Sequence, residues 1–285
     1  ELRSRRVGRT APTDESAIGA LSRVLGPGFA RFESENVVML SDATTALVNA
    51  RLGTIERTRA EFLRWAERAG VSHAPEPTKH LCVLFASRED YVRFAREQDG
   101  LDAAGVGGHY SPSKERMALY ARAEGSADDL VGRCVHEAVH MVAFRTGAQT
   151  RRRTQPLWLS EGLAGAFEPS GTSVAPVAPD RPNPSVREAY HDARERPGET
   201  VPIGALVAMS TPPREEPGSA GAAYRSSAAL VRYLSRHRAR QLQDFMESLA
   251  TDVPGPRTAA QLRAEFESHF GSPEVIERDM TLRPW

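Results

Sequence analysis

The sequence predicts an α+β fold, with a small mixed N-terminal β-sheet with helices, then a long helix bearing paired histidines, then a mainly helical C-terminal part. Three observations predict it. Short continuous apolar runs alternate with helical patterns through about residue 125, strand-type runs stop there, and helical periodicity carries the rest of the chain. The expected organisation is an N-terminal α/β subdomain at 1–125 and a helical subdomain at 126–285, which together make one working unit.

Residues 1–35 are mixed in character and break at Gly26 to Gly28, so they read as a lead-in segment. Asn36 to Ser41 is a short apolar run that predicts a strand, and the Ser-Asp after it predicts a helix cap. Ala43 to Ala69 carries Leu47, Ile55, Phe62, Leu63 and Trp65 among charges and stops at Gly70, the pattern of one long helix. His80 to Phe85 is apolar throughout, as expected of a strand covered on both faces. Ser87 then caps a helix through about Gln98, and Arg116 to Ala121 predicts a third strand after the glycines at 105–108.

From Asp128 to Arg145 the pattern is strongly helical, opened by a capping-box pattern from Ser126 to Asp129 and closed by Gly147. Pro156 to Phe167 predicts a shorter helix. Between Pro169 and Pro217, prolines and glycines are dense, with helices expected around Ser185 to Arg194 and Ile203 to Met209. Three helical patterns finish the chain, at Ala220 to Ser235, Arg238 to Leu249 and Thr258 to Phe270.

The 37 basic and 37 acidic residues cancel, which leaves no electrostatic footprint for nucleic acid or an anionic membrane surface. No stretch approaches the roughly 20 apolar residues that span a bilayer. Two cysteines in 285 residues make no disulfide framework, and Cys82 and Cys134 both read as core thiols. Localisation stays open. A start at Glu1 rather than methionine is compatible with export, secreted or to the cell envelope, after removal of a leader.

The chemistry concentrates in His136-Glu137-Ala138-Val139-His140. Residues four apart on a helix share a face, so His136 and His140 can present two imidazoles to one ion. Glu137 is turned by about 100° from His136, which lets its carboxylate stand beside that ion without binding it. A metal with two histidines and an open position needs a third protein ligand. Glu161 is the candidate, on the next helix with twenty residues between it and His140. Neutral imidazole and carboxylate suit zinc, a metal that acidifies water, and Glu137 is placed to act as general base. The alternative is a surface helix with two solvated histidines, but Val135, Val139, Val142 and Ala143 surround them with apolar residues. Cys134 lies about 200° round the helix from His136 and is excluded as a ligand.

In HEAVH (His136 to His140) and WLSEGLA (Trp158 to Ala164) the sequence resembles the gluzincins, metallopeptidases whose His-Glu-x-x-His helix is followed by a helix bearing a glutamate ligand. More diffuse similarity extends to a poorly characterised bacterial branch of that peptidase group. The resemblance implies a zincin-like fold, Zn2+ held by His136, His140 and Glu161, and a peptide or protein substrate. It also implies that Tyr110 to Tyr120 forms a strand at the cleft edge, and that Tyr224 helps stabilise an oxyanion. As an alternative, Tyr224 shares a stripe with Ala228, Val231 and Leu234, as a core tyrosine would. The chain departs from the group one turn after Glu161, where some members carry an aspartate that supports the metal histidines and this sequence has Gly165. His191, the pair His109-Tyr110 and the arginines 151–153 are outlying candidates, expected to be locally bonded or solvated. Three functions remain open on these residues: a zinc peptidase, a zinc hydrolase of another amide, and an inactive zinc-binding module or scaffold.

Overall fold

The structure is a computed structural model that describes residues 11–103, 105–121, 127–169, 174–213, 218–251, 253–283 and 285, and all side chains among them except those of 127–130 and 185. The architecture is α+β. Contacts divide the chain into unit 1, Glu1–Glu56 with Pro75–Gly125, and unit 2, Arg57–Ala74 with Ser126–Trp285. The expected boundary near residue 125 therefore differs in one respect, because residues 57–74 group with the second unit. Their Phe62, Trp65 and Ala66 are fully buried in its core, and that apolar burial outweighs their place in the chain.

Unit 1 holds α1 (Glu15–Leu25), β1 (Ala30–Glu33), β2 (Val37–Ser41), the start of α2 (Thr45–Ala69), β3 (His80–Phe85), α3 (Arg88–Asp99), β4 (Gly108–Ser111) and β5 (Arg116–Tyr120). The five strands form one mixed sheet in the order β1-β2-β3-β5-β4. β3 pairs in parallel with β2 and β5, and β1 and β4 close the edges antiparallel. The central position of β3 explains its unbroken apolar run, since a strand flanked by parallel neighbours is covered on both faces.

Three local expectations change here. The lead-in segment contains α1, capped by the Asp14 side chain on Ala17 N–H, and the edge strand β1. Ser41, the last residue of β2, and Asp42 tie β2 to β3 instead of capping α2: Ser41 Oγ donates to Leu84 O at 2.7 Å, and Asp42 accepts from Ala86 N–H at 2.7 Å. Residues 110–120 are a hairpin rather than one strand. Pro112 cannot donate to a ladder and Glu115 takes a left-handed φ of 51°, so the chain reverses and leaves β4 alone at the edge.

Unit 2 contains the remainder of α2, then α4 (Ala127–Arg145), α5 (Leu157–Phe167), α6 (Pro184–Arg194), α7 (Ile203–Leu206), α8 (Ser219–His237), α9 (Ala239–Thr251), α10 (Ala259–Phe270) and α11 (Pro273–Leu282). The pattern around 203–209 makes only one helical turn, and α11, opened by a Ser272 cap and Pro273, is an element that the sequence reading lacked. Ser126 and the Asp129 side chain, which would make the expected capping box, lie outside what is described.

The core of unit 2 is built on aromatics. The Trp158 ring packs edge-on to Phe266, with centroids 5.5 Å apart, and the Trp65 ring packs edge-on to Phe167 at 5.7 Å. Buried Arg232 of α8 reaches back to the C-terminal end of α5. Its guanidinium donates to the carbonyls of Ala166, of Val177 at 3.0 Å and of Arg181 at 3.1 Å. It thereby satisfies a carbonyl that the helix end leaves unpaired.

α5 and α8 approach closely at Gly162. A Cβ built on Gly162 would lie 2.5 Å from the Ser227 carbonyl oxygen, so the two backbones touch where only glycine fits. Gly162→Ala is expected to destabilise the protein by about 3 kcal/mol, because a methyl group there must push two packed helices apart. Gly221→Ala in the same α8, where an added Cβ meets nothing within 4 Å, is the control and should be neutral or stabilising by up to about 1 kcal/mol. Urea unfolding of both variants checks the pair; equal midpoints would remove the backbone contact as a constraint.

Candidate metal centre

The histidines of α4 are presented by ordinary helix geometry. Val131, Val135, Val139 and Val142 bury one side of α4, and that registers Gly132, His136 and His140 along another. The face is only partly closed, with the His136 and His140 side chains 15% and 12% exposed. α5 is entered at Pro156, which lacks a capping side chain, and the Leu157 N–H is satisfied instead by Met209 O at 2.9 Å. Leu159 and Leu163 are buried as expected, and Glu161 lies between them in sequence with its carboxylate toward α4.

Three donor atoms converge. His136 Nε2 lies 3.1 Å from Glu161 Oε2 and 3.2 Å from His140 Nε2, and His140 Nε2 lies 3.6 Å from Glu161 Oε2. Among the described residues these three form the one cluster of histidine, cysteine and carboxylate groups spaced to hold a metal ion. Donors about 2.0 to 2.2 Å from a tetrahedral zinc stand about 3.3 to 3.6 Å apart, and the triangle of 3.1, 3.2 and 3.6 Å is slightly tighter than that on two sides. Cys134 is buried, forms no disulfide and is absent from the cluster.

The donor chemistry fits as well. His136 Nδ1 lies 2.7 Å from Glu168 Oε1, and an ionised carboxylate can only accept, so the ring donates its Nδ1 proton to Glu168. A neutral His136 then turns a lone pair at Nε2 toward the other two donors. Burial opposes protonation of His136, yet its hydrogen bonds to Glu161 and Glu168, with the nearby Glu137 charge, hold its pKa well above the ordinary histidine range. Burial likewise pushes Glu161 upward, but the charges and hydrogen bonds of His140 and His136 hold it well below the usual carboxylate range. The pocket favours positive charge between these side chains, which is what a bound cation supplies.

Tyr224 enters from α8. Its ring centroid is 6.3 Å from that of His136, and the residue is 37% exposed. The stripe it shares with Ala228, Val231 and Leu234 is buried at those three positions, but Tyr224 emerges at its N-terminal end and is not a core tyrosine. The α5–α8 contact at Gly162 sits between Glu161 and this helix, so one close approach places both side chains. Glu168 is the residue the sequence reading missed. The signal was available, since seven residues beyond Glu161 is two turns and returns to the same face.

A family described as Protein of unknown function (DUF1570) matches residues 131–255. That span runs from within α4 to beyond α9 and contains His136, Glu137, His140, Glu161, Glu168 and Tyr224. Among curated proteins, none matches the chain.

The outlying candidates have local partners. His191 packs against the rings of Tyr190 and Trp285, at 5.9 and 6.2 Å, and burial, with Arg187 and Arg194 beside it, lowers its pKa. Arg151 and Arg152 are exposed, but Arg153 is buried in an ion pair with Glu265, which also binds Arg257 at 2.9 Å. The expectation of a solvated loop therefore fails at Arg153, whose charge is matched inside the fold. His109 pairs through Nδ1 with Tyr91 Oη at 3.1 Å and through Nε2 with Asp99 at 2.9 Å, and Asp99 also receives Arg116 at 2.7 Å.

Burial alone would raise the Asp99 pKa, but the His109 hydrogen bond and the Arg116 charge lower it below the ordinary value. A folded-state pKa below the unfolded one contributes stability that is present above the unfolded value, near 4, and is lost as pH falls through the folded one. Asp99→Asn should cost about 3 kcal/mol at neutral pH and flatten the fall in stability below about pH 4. Denaturant titrations across that range check it; a parallel acid profile in both chains would refute the assignment.

Proposed function

We propose that the protein is a zinc-dependent hydrolase that cleaves an amide bond with water, acting first on peptide or protein substrates. The observation that carries this reading is the convergence of His136 Nε2, His140 Nε2 and Glu161 Oε2 on one point, with Glu137 next to the first of them in the helix. The likeness of HEAVH and WLSEGLA to the gluzincins supports the same reading. The balanced charge of 37 basic and 37 acidic residues argues against a polyanionic partner. No helix among the described residues is long and apolar enough to cross a membrane.

His136, His140 and Glu161 would hold the zinc. When bound, the ion supplies Lewis acidity, which polarises a carbonyl oxygen and eases the loss of a proton from water. Glu137 takes the proton of the attacking water on its carboxylate as the new C–O bond forms. It then delivers that proton to the amide nitrogen as the C–N bond breaks, so the products are a carboxylic acid and an amine. Tyr224, exposed beside His136, can turn its phenol O–H toward the carbonyl oxygen as negative charge builds there. The partial exposure of all three metal-binding side chains is consistent with substrate access.

Metal analysis of the purified chain should find about one zinc per molecule, and a digest of a peptide library should stop on chelation and resume when zinc is restored. Glu137→Gln should retain zinc and lose turnover by about 1,000-fold. Full turnover in that variant would sink the role of Glu137. Tyr224→Phe should lower kcat by about 10- to 100-fold with little change in KM, and an unchanged kcat would return Tyr224 to the surface. Zinc bound tightly with every peptide and acyl amide left intact would favour the metal-stabilised binding module instead.

A further inference from the structure

We propose that Glu168 is the positioning residue of the metal centre: by accepting the Nδ1 proton of His136, it holds that imidazole in the tautomer and orientation that leave Nε2 as a metal donor. This inference rests on the zinc reading. The position one turn after Glu161, where the resemblance leads one to look for an acidic partner, is Gly165 and carries no side chain. The carboxylate arrives instead from two turns on, with Oε1 at 2.7 Å from Nδ1.

Two glycines line the carboxylate. A Cβ built on Gly165 would lie 3.9 Å from Glu168 Oε1, and one built on Gly132, a turn before His136, would lie 3.5 Å from Oε2. Side chains larger than alanine at either place would occupy the volume in which the carboxylate stands. At Gly165 the nearer neighbour of an added Cβ is Ala228 Cβ of α8, at 3.2 Å, so packing against α8 is the closer constraint there.

The backbone that delivers Glu168 is itself fixed. Arg232 binds the Ala166 carbonyl, and Val177 N–H donates to Phe167 O at 3.1 Å, so the end of α5 is held from two sides. The Glu168 side chain is 39% exposed. Its removal leaves His136 Nδ1, on a side chain 15% exposed, without that acceptor, so metal binding and folding are measured separately.

Zinc affinity measured by competition with a chelator, together with the visible absorption of the cobalt-substituted chain, tests the assignment. Glu168→Ala should weaken zinc by about 10- to 100-fold and shift the cobalt bands, with the zinc-free chain still folded. Glu168→Gln keeps an oxygen that can accept the Nδ1 proton and should lose less than about tenfold. Glu168→Asp keeps the charge but falls one methylene short and should resemble the alanine variant. It carries the test by the same criterion should the alanine chain unfold.

Affinity within twofold of the parent in the alanine or aspartate variant, with unshifted cobalt bands, would overturn the proposal while leaving the zinc reading intact. Equal losses in the glutamine and alanine variants would overturn the acceptor role. Absence of zinc binding in the parent chain would overturn the metal reading and this inference together.

Discussion

The backbone contact at Gly162 governs the arrangement of unit 2. α5 and α8 meet where the Ser227 carbonyl would stand 2.5 Å from an added Cβ, a distance that only a glycine allows. Glu161 precedes that contact directly and Tyr224 lies about one turn before it on the other helix, so their separation is set by backbone rather than by flexible side chains. Arg232 secures the far end of α5 by binding the Ala166, Val177 and Arg181 carbonyls. A helix held at its middle by contact and at its end by hydrogen bonds has little freedom to rotate, and the Glu161 carboxylate on it is directed accordingly.

The three converging donors are a local conflict in an otherwise consistent fold. Two imidazole nitrogens and a carboxylate oxygen within 3.1 to 3.6 Å of one another repel when all present lone pairs, and a proton between one pair relieves only part of this. The fold leaves these groups partly exposed and draws the first imidazole toward Glu168 from the opposite side. Local conflict of this kind is relieved when a positive charge stands among the donors.

Unit 1 offers a useful contrast. His109 also bonds to a carboxylate and to a hydroxyl, through Asp99 and Tyr91, and on residue types alone the group resembles a catalytic relay. Its ring nitrogens are both engaged, however, and Asp99 is matched by Arg116 with a side chain only 2% exposed. Satisfied donors and acceptors in a closed setting lock β4 to the end of α3. The same chemistry with one nitrogen left facing two other donors makes a site.

Long periodic segments were legible in the sequence because their signals are local: β2, β3, α2, α4, α5 and α8 follow from apolar runs, caps and glycine stops. α1, β1, β4 and α11 were not. β1 exposes three of its four residues, β4 takes its identity from pairing with β5, and α11 gains its burial from α7 and α10. Residues 57–74 changed unit because the aromatic rings of Phe62 and Trp65 found partners in distant Phe167.

The candidate site divides in the same way. His136, Glu137 and His140 were determined by sequence alone, since spacing along one helix carries their geometry, and Glu161 followed from its place on the next helix. Glu168 joined them only in the tertiary structure. Its contact depends on how α4 meets α5 and on the anchored end of α5, neither of which a linear pattern expresses. The exposure of Tyr224 was likewise decided in three dimensions, because the periodicity of α8 defines its stripe but not where the neighbouring helices stop covering it.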